Sequence, residues 1–280
     1  MVNEKKLNIV IFGATGKIGD YLLNKFYKKK CNLLLYSRNK KKINLLKRKF
    51  KPNQFQQVFF EQLNFESKND LKKKIIKHKN FLKKTDIIIN TIGIQGEIKN
   101  FFNLDLKKFY KTFNINFFSH VILFRNLFKI IKKNKDTLLA VFSGGGVTSL
   151  RKNFSSYSLS KIALVKLVEI LSSEFQNKNL RINAIAPGII NSKMTRLILT
   201  KRKKLVSNNE IKKIKKEIIF TDKSLNKVYE LIMFLAQGKG KKITGKIISS
   251  RWDDFKNWNK TIIQNIAKND IYKLRRIQKL

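Results

Sequence analysis

The amino-acid sequence predicts an α/β fold in a single domain: a doubly wound parallel sheet covered by helices on both faces, in three α/β/α layers. Three observations carry this expectation. Short apolar runs alternate with helix-length amphipathic stretches through most of the 280 residues, the pattern of parallel strands joined by crossover helices. The first run stops at a glycine turn and resumes as a helix, and later runs end in Ser, Asn or Gly, at the sheet edge where such folds bind ligands. No linker or internal repeat divides the chain, so residues 1–250 read as the domain and 251–280 as a helical extension packed on it.

Residues 7–12 form the first strand and lead into Gly13-Ala-Thr-Gly16-Lys-Ile-Gly19, after which Tyr21, Leu22 and Phe26 continue at helical spacing. In that setting bare backbone approaches a pyrophosphate lying on a helix N-terminus. A second strand, 32–36, ends in Ser37-Arg38. An acidic residue there would grip a free adenosine ribose, whereas Arg accommodates a 2′-phosphate, so NADP(H) is favoured over NAD(H). A third strand, 57–63, passes through Asn64 and Phe65 to a basic helix at 70–78. The fourth, 86–91, contains Asn90 and is followed by Gly93, Gln95, Gly96 and Glu97. A long helix over 105–133 carries Asn114 and Asn116 among apolar neighbours, and a buried Asn needs a partner. The fifth strand, 137–142, delivers Ser143 and three glycines to the same edge; the sixth, 181–186, is followed by Pro187-Gly188.

Between the last two strands, residues 155–171 read as a helix, because Leu164, Leu167, Val168 and Leu171 recur at helical spacing without Gly or Pro. Tyr157 and Lys161 are four apart and share a face. A phenol titrating near pH ~10 is a poor acid or base at neutral pH, and a neighbouring ammonium favours the phenolate.

Sixty-two Lys and Arg against eighteen Asp and Glu give a net charge of +44. The charge is spread over nearly every helix and loop, including Lys201 to Lys204, with no basic-aromatic platform. It therefore argues against a specific nucleic-acid site and for a field that favours anionic substrates and cofactors. Cys31 is the one cysteine, which excludes an intramolecular disulfide. With no apolar run approaching ~20 residues and no signal-peptide core, a cytoplasmic protein without a membrane span is expected. His78 closes a basic helix and His120 lies on an apolar one, which predicts solvent for the first, core for the second and no metal site.

Together these motifs resemble the short-chain dehydrogenase/reductase superfamily: Gly13-x-x-Gly16-x-x-Gly19, Asn90-x-x-Gly93, Asn116, Ser143, Tyr157-x-x-x-Lys161, Asn183-Ala-Ile-Ala-Pro187-Gly188 and Ile243-Thr244-Gly245, over about residues 7–250. The resemblance implies a Rossmann-type fold and an NAD(P)-dependent oxidoreductase interconverting carbonyl and alcohol on a small polar, anionic or sugar-like substrate. It implies that Tyr157 exchanges a proton with the substrate oxygen, that Lys161 lowers the tyrosine pKa and binds the nicotinamide ribose, and that Asn116 holds a water leading protons to that lysine. A cofactor site is implied at Gly13, Thr15, Gly16, Lys17, Ile18 and Gly19 for the pyrophosphate, with Ser37 and Arg38 at the 2′-phosphate and Asn64 near the adenine. Asn90 and Gly93 would border the adenosine side, and Pro187, Gly188 and Ser192 would lie toward the carboxamide. Family members commonly form homodimers or homotetramers through the helices holding Asn116 and Tyr157.

The chain departs from the family in two places that bear on chemistry. Lys17 stands where most members carry a second glycine, and Gly144 stands thirteen residues before Tyr157, where a serine is usual. Either the loop holds one extra residue and Ser143, fourteen before, keeps the role, or the site lacks this donor, with Thr148 and Ser149 as weaker stand-ins. The second case would leave a catalytically impaired NADP(H)-binding protein; an epimerase or dehydratase using the same Tyr and Lys is the nearest enzymatic alternative. After Ser192 and Met194, a Lys-rich helical region to about residue 219 is expected to cover the substrate. The stretch 245–254 is similar to reductase-like members associated with bacterial surface-polysaccharide and nucleotide-sugar pathways. There, Arg251 and Trp252 either face the pocket or pack at a subunit contact.

Overall fold

The computed structural model describes residues 6–131, 136–175, 179–200 and 205–276. Strands β1 (Asn8–Phe12), β2 (Asn32–Ser37), β3 (Val58–Gln62), β4 (Ile87–Asn90), β5 (Thr137–Phe142), β6 (Leu180–Ala186) and β7 (Ile247–Ser249) form one sheet in the order β3-β2-β1-β4-β5-β6-β7. Every pairing is parallel. The helices between them are α1 (Lys17–Lys28), α2 (Lys40–Lys49), α3 (Lys68–Lys77), the short α4 (Lys79–Leu82), α5 (Leu106–Phe113), α6 (Ser119–Phe128), α7 (Ser155–Glu174), α8 (Lys193–Leu199), α9 (Asn208–Ile218), α10 (Thr221–Ala236) and α11 (Lys260–Lys268). The fold is the three-layer Rossmann-type sheet that the sequence predicts. Of these elements, α2, α4, α10 and β7 were not anticipated from the sequence.

The central strands read as unbroken apolar runs because both faces of the sheet are buried. Side chains pointing to one face, Ile9, Ile11, Leu33, Leu35, Ile87 and Ile89, join a core with Leu22 and Phe26 of α1 and Val228, Leu231 and Ile232 of α10. Their neighbours Val10, Phe12, Leu34, Tyr36 and Ile88 point to the other face and meet Leu71 and Ile75 of α3, Leu123 and Leu127 of α6 and Leu164 and Val168 of α7. Beyond β7, Phe255, Trp258, Ile263 and Ile266 close the first of these cores.

Sheet order reverses at β1, whose partners β2 and β4 lie on opposite sides. The crossover helices therefore part above its carboxyl end and leave a crevice there. The glycine turn after β1 and the Asn90–Gly93 loop after β4 meet at that crevice.

The expected helix over 105–133 is interrupted: α5 passes into a π-helical turn, Asn114–Phe118, before α6 begins. Its expected last residues, 132 and 133, lie outside the described residues. His78 is not in solvent as expected. Its side chain is 12% exposed, and Nε2 lies 2.9 Å from Glu61 Oε1, because Glu61 on β3 draws in Lys74, Lys77 and His78 together. His120 is fully buried, and burial, with repulsion from Lys161, brings its pKa down to about 3, so the ring is neutral.

Edge strand β7 is tied in by Asn183, which is completely buried. Its Nδ2 donates to the Ile243 carbonyl at 2.8 Å and its Oδ1 accepts from Lys246 N at 3.1 Å. Asn183→Leu leaves both backbone groups without partners, and the expected loss of unfolding free energy is about 2–4 kcal/mol at unchanged m-value in urea denaturation. A loss of only a few tenths would show that β7 is held mainly by its apolar contacts.

Candidate active site

Gly13 closes β1 in the left-handed region, φ +84°, and a side chain there would run into Thr91 Oγ1. Its N–H donates to the Tyr36 carbonyl at 2.9 Å, and Gly16 N donates to Gly13 O at 2.9 Å, so the turn folds tightly over the end of β2. Gly16 is the N-cap of α1 and no side chain caps the helix. A Cβ on Gly19 would stand 2.9 Å from Ala14 Cα, which is why the helix can press against the turn. The outcome is a helix N-terminus with bare, uncapped N–H groups facing the crevice, the arrangement that suits a pyrophosphate. Lys17 beside it is exposed, and Ile18 packs against the core.

Thr15 and Ser37 hydrogen-bond through their hydroxyls, which joins the glycine turn to the end of β2. Arg38 is largely exposed and pairs with Glu66 at 3.6 Å. Asn64 is exposed; its Oδ1 accepts from Glu66 N at 3.1 Å and its N–H donates to Asp70 Oδ2 at 2.7 Å. Asn90 is completely buried with Oδ1 accepting from Ile92 N at 3.1 Å, while its Nδ2 has no partner among the described residues. A buried amide left half satisfied points to a ligand group that the protein alone does not supply.

Lys161, Asn116 and Gly93 come together below the crevice. Lys161 is 3% exposed, and Nζ donates to the Phe142 carbonyl at 2.9 Å. Burial brings its pKa down to about 8. A Cβ on Gly93 would lie 3.3 Å from Lys161 Nζ and 3.5 Å from Asn116 Oδ1, so this glycine keeps the space in front of the ammonium open. Asn116, in the π turn, accepts from Ile94 N at 2.8 Å and donates to Ile94 O and to Ser160 Oγ, each at 3.0 Å. Its amide is thus spent on fixing the backbone beyond Gly93.

One turn before Lys161, the Tyr157 ring lies on the backbone of Gly144, where a Cβ would stand 2.7 Å from Tyr157 Cζ and would also meet Oη. The ring occupies the space that a side chain at position 144 would need. Ser143 is buried, and its Oγ has no hydrogen-bond partner among the described residues. Thr148 and Ser149 are exposed on the loop beyond. Burial pushes the Tyr157 phenol above its ordinary pKa, and the cation that draws it back is Arg151. Lys161 Nζ, one turn on, is directed to the Phe142 carbonyl.

Arg151 was not foreseen as a site residue. Its Cζ lies 3.7 Å from the Phe154 ring centroid and 6.0 Å from that of Tyr157. Nε and Nη2 donate to Glu210 Oε1 of α9 at 2.8 and 2.5 Å. In a chain whose cations are mostly lysine, an arginine six residues before the tyrosine was the available signal.

On the far side, Pro187 and Gly188 follow β6, and Gly188 adopts φ +74° beneath the Arg251 side chain. Arg251 forms an ion pair with buried Glu217 of α9 and stacks on Trp252 at 4.7 Å, while Trp252 itself is 69% exposed. Ser192 caps α8, accepting from Thr195 N at 3.2 Å.

A family model for short chain dehydrogenase matches residues 7–203. The chain is similar to a 3-oxoacyl-acyl-carrier-protein reductase of Rickettsia typhi, 26% identical over 240 residues that cover 85% of this chain and 92% of the relative. Among solved structures, a short-chain dehydrogenase/reductase from Saccharomyces cerevisiae superposes with a TM-score of 0.75 at 19% identity, covering 89% of this chain and 98% of that one. The structure of ElxO with NADPH bound gives a TM-score of 0.71 at 22% identity over 88% and 97%. A glycine turn on an open helix end, an orphaned amide at β4 and a buried Tyr and Lys on one helix are thus joined by a family match over most of the chain: the protein belongs to the short-chain dehydrogenase family, NAD(P)-dependent oxidoreductases acting on CH–OH groups.

Proposed function

We propose that the protein is a cytoplasmic, NADP(H)-dependent oxidoreductase that interconverts a carbonyl and an alcohol on a small, polar, anionic substrate. The observation that carries this reading is the placement of Tyr157 and Lys161 on one helix beneath the crevice, Tyr157 against Gly144 and Lys161 against Gly93. A bound nicotinamide supplies or accepts the hydride. Gly13, Thr15, Gly16, Lys17, Ile18 and Gly19 would hold the cofactor's pyrophosphate on the α1 N-terminus, and Asn90 and Gly93 its adenosine side. Pro187, Gly188 and Ser192 would hold the nicotinamide end. The expectation fits the orphaned Asn90 Nδ2 and the uncapped start of α1.

In carbonyl reduction Tyr157 Oη gives its proton to the substrate oxygen, and in the reverse direction it takes the proton back. Burial keeps the phenol protonated at neutral pH, which suits donation. Lys161 offers protons through the gap at Gly93 to ribose hydroxyls and stabilises the phenolate that develops. Asn116 positions the backbone at Ile94, and Ser143, a buried hydroxyl without a partner, is assigned the second hydrogen bond to the substrate oxygen. A preference for NADP(H) is supported by Ser37 and exposed Arg38 at the end of β2, with Asn64 nearby, and by the absence of an acidic residue among Tyr36, Ser37 and Arg38. An apolar groove between α6 and α7, lined by Phe124, Phe128, Leu167 and Leu171, supports a homodimer or homotetramer. Residues 251–280, of which 277–280 lie outside the described residues, are read as an extension of the same domain, supported by the burial of Ile263 and Ile266.

Tyr157→Phe tests the assignment. The phenol is the proton donor, so kcat with NADPH and a reactive ketone is expected to fall by roughly 10³ while the dissociation constant for NADPH stays nearly unchanged. Retained turnover would remove Tyr157 from the chemistry. For the cofactor, NADPH is expected to raise the melting temperature more than NADH at equal concentration, with Arg38→Asp reversing the order. Equal shifts in the unaltered protein would refute the preference. Lys161 is charged below about pH 8 and neutral above it, and the phenolate formed on reduction needs that charge. kcat/KM for reduction is therefore expected to fall as pH rises through about 8, and Lys161→Met to give a lower profile without this limb. The same limb in the variant would assign it to another group.

A further inference from the structure

We propose that Arg151 is the seat for an anionic group of the substrate, a carboxylate or phosphate, and that Glu210 occupies this seat in the free protein. The inference rests on Tyr157 as the acid/base group and supplies the charged end of the substrate it acts on.

Arg151 is placed for this role by the same loop that serves Tyr157. Its Nη1 lies 3.4 Å from the Cβ position of Gly145, the residue after the glycine on which Tyr157 rests. The guanidinium stacks on Phe154, which is fully buried, so its plane is fixed before any ligand arrives. Nε and Nη2 both donate to one oxygen of Glu210, so the flat guanidinium already holds a carboxylate, the kind of group arginine receives with charge-assisted hydrogen bonds. The carboxylate that fills it comes from another element, α9.

The distribution of charge on α9 points the same way. Its outer face carries Lys212, Lys213, Lys215 and Lys216, all exposed. Like charges one turn apart repel, and acidic residues on that face would relieve them. Both carboxylates of the helix instead lie on the inner face, Glu210 on Arg151 and Glu217 on Arg251, seven residues apart, with buried Ile214 between them in a cluster with Ile98 and Phe154. The two pairs are unequal. Glu217 is buried, and Arg251 backs onto Gly188, which makes a fixed anchor. Glu210 sits in the first turn of α9 with its side chain 24% exposed. Glu210 is thus the more hydrated of the two carboxylates, and an incoming anion that takes its place restores the charge Arg151 loses and leaves the apolar cluster around Ile214 untouched.

The test uses acetoacetate and its methyl ester, two carbonyl compounds of similar size that differ by one charge. Their dissociation constants are measured by saturation-transfer NMR in the presence of NADP+, which cannot reduce them, so binding is read without turnover. Glu210→Gln is expected to tighten acetoacetate about fivefold relative to the ester, because the competing carboxylate is gone, and Arg151→Gln to weaken that ratio by at least as much. Unchanged ratios in both variants would overturn the proposal and leave the Arg151–Glu210 pair as a fold contact. If Arg151→Gln does not fold, judged by circular dichroism, Glu210→Gln decides alone. Intact charge discrimination with no reduction by NADPH would instead sink the oxidoreductase reading and leave the anion seat standing.

Discussion

The buried ammonium of Lys161 constrains most of what surrounds it. An ammonium removed from water is costly unless its protons find acceptors, and among the described residues Lys161 has one, the Phe142 carbonyl at 2.9 Å. To reach it, α7 must cross the carboxyl end of β5. To leave room for it, position 93 must lack a side chain, since a Cβ there would lie 3.3 Å from Nζ. Beside Lys161 on α7, Ser160 accepts from Asn116, which a π turn at Asn114–Phe118 carries. His120 follows on α6 and is kept neutral by burial and by the charge of Lys161, so no second cation forms beside the first. The remaining ammonium protons face the open space at Gly93, where a polar ligand would complete their hydrogen bonds.

Tyr157 depends on the same crossing. One turn earlier on α7, its ring comes down on the loop that continues β5, and Gly144 lets it settle there against main chain. This explains in physical terms why a glycine can stand in the position usually held by serine: the ring has taken the volume. Ser143 keeps a buried hydroxyl near the strand end, while the electrostatic influence on the phenol comes from Arg151. Burial raises the phenol's pKa, so the resting group is protonated and the phenolate left by donation needs a stabilising charge.

How far the site was legible depends on the range of each interaction. The glycine turn, the Tyr157 and Lys161 pair and Asn90 could be read because local backbone geometry and helical spacing write them into adjacent residues. The π turn could not, since Asn114 and Asn116 are ordinary helix residues until Ile94 and Ser160 take the Asn116 amide. Arg151 was missed because its meaning lies in Glu210, fifty-nine residues later and on a different helix. His78 was misplaced for a similar reason: its position ending a basic helix says solvent, but Glu61 on the neighbouring strand gathers three cationic or titratable side chains. The α2 and β7 elements offer little pattern to read: α2 is mostly lysine and buries Ile43 alone, and β7 is three residues long.

The charge of +44 acquires structure once the few acids are followed. Burial opposes ionisation of Glu61, but hydrogen bonds from Lys77, Lys74 and His78 outweigh it and hold the carboxyl at about 2. Glu169 is held at about 2 by Arg275, with Lys166 adding to the effect against a smaller opposing contribution from burial. Asp136 takes Arg181 at 2.7 Å and Lys241 at 2.9 Å, and Glu97 takes Lys99 and Lys108 at 3.3 and 3.2 Å. The acids are thus shared among cations that the fold brings close together, where repulsion would otherwise be strongest. Most of the surplus is left on exposed lysines, whose mutual repulsion water and salt screen within about 10 Å. A helix that spends its two carboxylates inward, as α9 does, leaves its outer face to exposed lysines alone.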